Sequence, residues 1–345
     1  MSASQVAELD APATGLQLPR IDYAAHPAYG GQFKPNPRLR QEIEAKLAPI
    51  IDEVERSDHE RGAAFGHRRG AGTDISREVL ERGFTLRQLD RTALEPLARS
   101  AGPFVEIIRG RLSGARQAGG AITFKAGQEI VARDAHPDIW AQAEQAMKQS
   151  GLIQATADYA GSGHAAIRSV AVMVNQPGQT WCTNVFRGER VFEDPPTVGF
   201  HIDSATFQGL KLVLYLDDVG PDQGPFGVIP GSHLWEHASR GRVIRRAFDR
   251  SPFVSRAPGQ RHAFASLPPE LQLKAEFGGD MPPEAHETLA LAACEHVATG
   301  PRGQLNIFVP EAIHRGGLAR TGERQVMLIS IGARPPARPV TAPGA

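Results

Sequence analysis

Two stretches far apart in the chain carry residues able to hold a metal ion. Gly199-Phe-His-Ile-Asp203 sets His201 and Asp203 two positions apart. On an extended strand side chains alternate, so this imidazole and carboxylate face the same way. Downstream, Phe308-Val-Pro-Glu-Ala-Ile-His314 supplies another imidazole, and Arg324 follows ten residues later. One carboxylate and two imidazoles leave coordination positions open, the facial arrangement found in non-haem Fe(II) oxygenases. The same nitrogen and oxygen donors also suit Mn, Co or Zn. An H-x-D pair alone is common by chance, so its context has to carry the reading.

That context is an ordered set. After the H-x-D pair come Leu214-Tyr-Leu-Asp-Asp-Val-Gly-Pro-Asp-Gln-Gly-Pro225, Val228-Ile-Pro-Gly-Ser-His233, Ile313-His-Arg-Gly-Gly317 and finally Arg324. Taken together, residues 167–333 resemble the phytanoyl-CoA dioxygenase-like family of Fe(II)/2-oxoglutarate oxygenases. The resemblance implies a double-stranded β-helix with iron held by His201, Asp203 and His314. It further implies 2-oxoglutarate as co-substrate with its distal carboxylate on Arg324, since a guanidinium fork matches a carboxylate. Arg315 and Arg320 are the candidates if the register differs. O2 would be the second co-substrate, a small organic molecule would be hydroxylated, desaturated or cyclised, and succinate and CO2 would leave. Related halogenases carry a small residue in place of the carboxylate, so the intact Asp203 favours oxygen chemistry over halogenation. The chain departs from the family in having Gly303-Gln304 where many members have Gly-Asp, and in the separation of 111 positions from Asp203 to His314.

Further residues could meet ligands. Lys211 alternates with the leucines at 210, 212, 214 and 216, so it faces inward as a candidate partner for a carboxylate of the co-substrate. Arg168 shares a strand face with Val170, Val172 and Val174, and is a candidate for binding an anionic substrate or the co-substrate. Phe207 is a candidate pocket wall. His233 and His237 have a zinc-compatible spacing but follow a Pro-Gly-Ser turn and read as structural. His286 and His296 lack a matching carboxylate, and the arginines at 240, 242, 245 and 246 read as a solvated loop. The Gly110–Ile122 stretch lacks the Gly-Lys-Ser/Thr ending of a phosphate loop and reads as a flexible loop.

The elements that must position these groups fall into two textures. Residues 1–35, rich in Ala, Pro and Gly, read as an extended arm. Residues 36–166 read as a mostly helical jacket, with apolar periods after Pro37, across 75–100 and across 137–152. From residue 167 short β-rich runs dominate, ending at 333 and interrupted by a partly helical insertion at 234–300. The expected fold is mainly β with α: a jelly-roll, cupin-like barrel in one domain over 1–345, with an N-terminal helical jacket.

Bulk properties narrow the function. Lys+Arg and Asp+Glu are each 38, which gives no electrostatic footprint for nucleic acid or an anionic membrane. Two cysteines, Cys182 and Cys294, argue against a disulfide framework and for a reducing compartment. With no basic, apolar leader and no long apolar run, a soluble cytoplasmic protein is the expectation. Oligomeric state has no sequence signal. Two other classes fit the residues less well: a cupin-like metalloenzyme that does not use 2-oxoglutarate, and a non-catalytic small-molecule binding protein.

Overall fold

A computed structural model describes residues 72–119, 122–182, 191–192, 199–201, 203, 209–234 and 286–333. The arm at 1–35, the helix expected after Pro37, Phe207, His237, the arginines of 240–246 and most of the 234–300 insertion lie outside the described residues.

Helix α1, Asp74–Arg82, begins at a capping box in which Thr73 and Ser76 exchange backbone and side-chain hydrogen bonds, relieving two of the orphan N–H groups of a helix start. It ends at Gly83, whose φ of 79° is left-handed and whose missing side chain lets His233 Nδ1 approach within 2.6 Å of where a Cβ would lie. Gly is required there twice over, for conformation and for space. The chain turns directly into strand β1, Phe84–Gln88.

Helix α2 runs from Arg91 to Gln117, which corrects the loop expected from Gly110. Leu97, Ala101, Phe104, Val105, Ile108 and Leu112 recur at helical spacing and are all buried. Gly110 and Gly114 look onto open space, so they cost propensity but break no packing. Helices α3, Pro137–Gln149, and α4, Leu152–Tyr159, follow. Proline at the start of α3 suits a first turn, where its missing N–H would be unpaired anyway. No helix among the described residues is long and apolar enough to cross a membrane.

The remaining strands are β2 (Ile122–Thr123), β3 (Gln128–Ile130), β4 (Ala165–Asn175), β5 (Gln179–Cys182), β6 (Val191–Phe192), β7 (Gly209–Tyr215), β8 (Phe226–Val228), β9 (His296–Ala298), β10 (Gln304–Phe308), β11 (His314–Gly316) and β12 (Arg324–Ala333). Helix α5, His286–Ala293, precedes β9. The larger sheet has the order β1-β10-β7-β12-β4-β3, and a smaller one the order β11-β8-β9. All pairs in both are antiparallel. A bridge between His201 and His314 extends the smaller sheet by one position. From β4 onward the chain crosses repeatedly between the sheets: β4, His201, β7, β8 and β9, β10, β11, β12. That alternation is the winding of a double-stranded β-helix.

The faces are set by register. Leu210, Leu212 and Leu214 on β7, and Leu216 just beyond it, are buried, and α4 packs on β4, β7 and β12 while α2 packs on β4. On the other face, Lys211 aligns with Ser330 and Val213 with Leu328, while Ser330 aligns with Ser169 and Leu328 with Ala171. These inward positions look across a cavity at the smaller sheet, whose Phe226 meets Phe308 of the larger sheet with ring centroids 4.7 Å apart. Tyr215 ties the sheets together: its hydroxyl donates to the Ala298 carbonyl at 2.6 Å and accepts from Phe226 N at 3.0 Å.

Candidate active site

The two histidines are placed by main chain. His201 N donates to the His314 carbonyl at 3.0 Å and His314 N donates back at 2.9 Å, so the bridge fixes both Cα positions. The Pro-Gly-Ser-His turn reinforces one side of it. Buried Ser232 accepts from Ile313 N and donates to the Ile229 carbonyl, both at 2.8 Å, and Ile229 N bonds the Ile313 carbonyl. The motif thus holds the residue beside His314, and His233 itself turns away to the Leu80 carbonyl at 2.9 Å.

Side-chain orientation follows the same economy. His201 Nδ1 lies 2.8 Å from the Gly199 carbonyl and His314 Nδ1 lies 2.8 Å from the Ala312 carbonyl. A carbonyl only accepts, so each ring carries its proton on Nδ1 and presents the Nε2 lone pair. This is how a backbone partner fixes the tautomer of a metal-binding histidine. Asp203 is anchored through its own N–H on the Pro310 carbonyl at 2.9 Å. One ligand atom from each of His201, Asp203 and His314 lies within 4.8 Å of the others. Burial would raise the Asp203 pKa, but the Lys211 ammonium beside it holds it well below the usual carboxylate range. The donor set is therefore an ionised carboxylate with two oriented imidazoles, which fits a divalent first-row metal such as Fe(II).

Arg324 begins β12 opposite Asn175 at the end of β4. Its Nε and Nη2 donate to Asn175 Oδ1 at 3.3 and 2.7 Å, and Nη2 also reaches the Gly317 carbonyl at 3.3 Å. Only 3% of the residue is exposed, and burial pushes its pKa down from the ordinary value. No carboxylate among the described residues forms an ion pair with it. A buried guanidinium held by neutral acceptors, on the cavity that the metal ligands line, is poised for an anionic ligand. Its neighbour Glu323 locks the strand start, bonding Arg109 on α2 at 2.5 Å and Gln176 at 2.7 Å.

The cavity has a volume of about 310 Å³, within the usual range for small-molecule sites. Lys211 lines it, but its Nζ sits 2.7 Å from Asp203 Oδ2 and six residues along the sheet from the Arg324 position, not beside Arg324. Arg168 is not in the cavity. Strand β4 lines the cavity with Ser169, Val170, Ala171 and Met173, of which the alternating Ser169, Ala171 and Met173 set the inner face; Arg168 has the opposite parity, and its Nη2 reaches the Ala333 carbonyl at 3.3 Å. Strand β4 is buried on both faces, so its apolar pattern did not reveal which face is inner. Arg315 is taken by a bidentate pair with Glu295, at 2.8 and 2.5 Å, and stacks over Phe200 at 3.9 Å. Gly227 makes room for that pair, since a Cβ there would meet Glu295 Oε1 at 1.8 Å. Arg320 lies outside the lining, which Arg315 joins. Sequence reading missed Asn175, Glu295, Ser169 and Ser330. Strand parity would have flagged the two serines once the inner face was known; Asn175 carries no signal without the register.

Comparisons with known proteins agree with this geometry at the level of family. The model of the phytanoyl-CoA dioxygenase family matches residues 116–326. No curated protein matches the chain. Similar solved structures include AviO1 from Streptomyces viridochromogenes Tue57, 15% identical over 80% of this chain and 100% of that one, with a TM-score of 0.38. Another is EctD from S. alaskensis with 2-oxoglutarate and 5-hydroxyectoine, 14% identical over 77% of each chain, with a TM-score of 0.43. A third is the non-heme alpha ketoglutarate dependent carbocyclase SnoK from nogalamycin biosynthesis, 14% identical over 79% of this chain and 89% of that one, with a TM-score of 0.41. From the extent of the family match, the chain belongs to the phytanoyl-CoA dioxygenase family of Fe(II)/2-oxoglutarate-dependent oxygenases.

Proposed function

We propose that this dioxygenase oxidises an unactivated carbon of a small organic molecule, by hydroxylation or by the related desaturation or cyclisation, in tailoring chemistry of the kind found in secondary metabolism. His201, Asp203 and His314 would hold the iron, and Arg324 the distal carboxylate of 2-oxoglutarate. Iron in this ligand set, together with 2-oxoglutarate and O2, supplies the oxidising power for C–H cleavage, the keto acid leaving as succinate and CO2. The chain's own part is placement. Asn175 holds the Arg324 guanidinium flat toward the cavity, the Gly199 and Ala312 carbonyls hold the ring tautomers, and the apolar walls limit water and wrong targets.

The observation that carries the reading is the buried Arg324, without a carboxylate partner among the described residues, on the same cavity as the three ligand side chains. It favours a 2-oxoglutarate enzyme over a cupin-like metalloenzyme that lacks this co-substrate. The test is anaerobic loading with Fe(II) and then 2-oxoglutarate, followed by visible spectroscopy and by succinate release once O2 is admitted. A charge-transfer band is expected in the unmodified enzyme and none in Asp203→Ala. If the band never forms, or survives in Asp203→Ala, the reading fails.

A further inference from the structure

Two polar groups stand apart along the strands on the inner face of the larger sheet. One is the Arg324–Asn175 pair. The other is a transverse row in which Ser169 on β4, Ser330 on β12 and Lys211 on β7 stand in register. All three line the cavity. The rows are six residues apart on β12, about 20 Å between their backbone positions, and the proposed 2-oxoglutarate already has a partner for each of its ends, Arg324 and the metal. Between them the lining turns apolar, with Ala171, Leu328 and Val213 forming the next row. Ile130, aligned with Ala171, is 72% exposed yet also lines the cavity, an apolar rim beside the polar row.

The row carries donors to spare. Ser330 is only 7% exposed, and neither its hydroxyl nor that of Ser169 has a hydrogen-bond partner among the described residues. One Lys211 N–H is given to Asp203; the ammonium has two more. Charge balance points the same way. With a divalent metal and 2-oxoglutarate bound, the metal, Arg324 and Lys211 together bring four positive charges against three on Asp203 and the co-substrate. Arg315 is already neutralised by Glu295. The loaded cavity is left with one net positive charge.

Building on the function proposed above, we infer that the Lys211–Ser330–Ser169 row receives a carboxylate of the substrate, whose apolar body lies along Leu328, Val213 and Ile130. The substrate class is thus an organic monoacid with an apolar frame. Lys211 serves the substrate rather than 2-oxoglutarate.

Octanoate and octanamide serve as matched probes, differing in charge but not in body. Enzyme loaded without oxygen with Fe(II) and saturating 2-oxoglutarate is titrated with each, and binding is read both by calorimetry and by perturbation of the charge-transfer band. Octanoate is expected to bind about tenfold or more tightly than octanamide, the range of a charge-assisted hydrogen bond set against a neutral one. Lys211→Met should bring the two within about twofold. The Ser169→Ala/Ser330→Ala double variant, which leaves the Asp203 contact alone, should narrow the ratio to about threefold. Equal affinities in the unmodified enzyme, no octanoate binding at millimolar concentration, or a full preference retained in both variants would each overturn the inference. The band formed by 2-oxoglutarate before any probe is added reports on the proposed function separately. If it is absent, the calorimetric ratio on metal-loaded protein still decides the role of the row.

Discussion

Replacing Arg324 with methionine separates a ligand-binding arginine from a structural one, because the two make opposite demands on stability. Breaking a buried ion pair usually costs about 3–5 kcal/mol, since it strands the partner charge. Arg324 has no such partner among the described residues; it has Asn175 Oδ1 and the Gly317 carbonyl. Methionine removes a charge that burial disfavours and leaves one buried amide oxygen short of donors, a penalty of about 1–3 kcal/mol. The two effects oppose each other, so ligand-free stability is expected to change by about 1 kcal/mol or less. Binding should respond differently. At one hundred times its dissociation constant, 2-oxoglutarate stabilises the unmodified metal-loaded protein by about 2.7 kcal/mol. Truncating one side of a buried charge pair costs about 2–5 kcal/mol of affinity, at least about thirtyfold. At the same concentration the variant would then gain less than about 0.9 kcal/mol. Urea unfolding of Fe(II)-loaded, oxygen-free protein with and without 2-oxoglutarate measures both quantities. A ligand-free loss of 3 kcal/mol or more, or an undiminished gain from 2-oxoglutarate, would refute the reasoning.

Other perturbations have equally definite outcomes. Asn175→Leu should raise the KM for 2-oxoglutarate about tenfold with a smaller effect on kcat, because it removes about one hydrogen bond's worth of orientation from Arg324; steady-state succinate assays check this. Arg315→Met leaves Glu295 buried and uncompensated and should cost about 3–5 kcal/mol in urea unfolding, largely restored by adding Glu295→Met. Asp217 is pushed up from 3.8 to about 6, chiefly by burial. Its folded form therefore holds a proton that the unfolded chain releases, and stability should fall as pH rises from about 4 to about 6. Partial exposure limits that contribution to about 1 kcal/mol. Comparing unfolding curves at pH 4.5 and 7 for the unmodified protein and Asp217→Asn tests it, a slope unchanged by the substitution being the contrary result.

The parts of the fold written in short-range pattern were legible. The alternating leucines of β7 and the apolar run of β12 announced strands, and the H-x-D pair, His314 and Arg324 could be read because each sits in a local motif. What depends on pairing was not. Strand β1 lies between helical periods and owes its form to β10, far away in the chain. The inner face of β4 could be assigned only through its register with β12, which is why Arg168 was read as facing the cavity. Helix α2 was cut short because Gly110 and Gly114 look like breakers in sequence, whereas the buried Ile108 and Leu112 between and beside them carry the helix through.

The two sheets divide the labour, and that division bears on how such an enzyme can change. The imidazoles are positioned by main-chain bonds of the smaller sheet, which substitution at neighbouring side chains leaves in place. The cavity's chemistry is written on alternate positions of three adjacent strands of the other sheet, each open to replacement without a change of backbone. New substrates can therefore be reached by drift at Ser169, Ala171, Leu328 or Ser330 while the oxidising centre stays intact. A library confined to those four positions would explore specificity with little risk to the metal site.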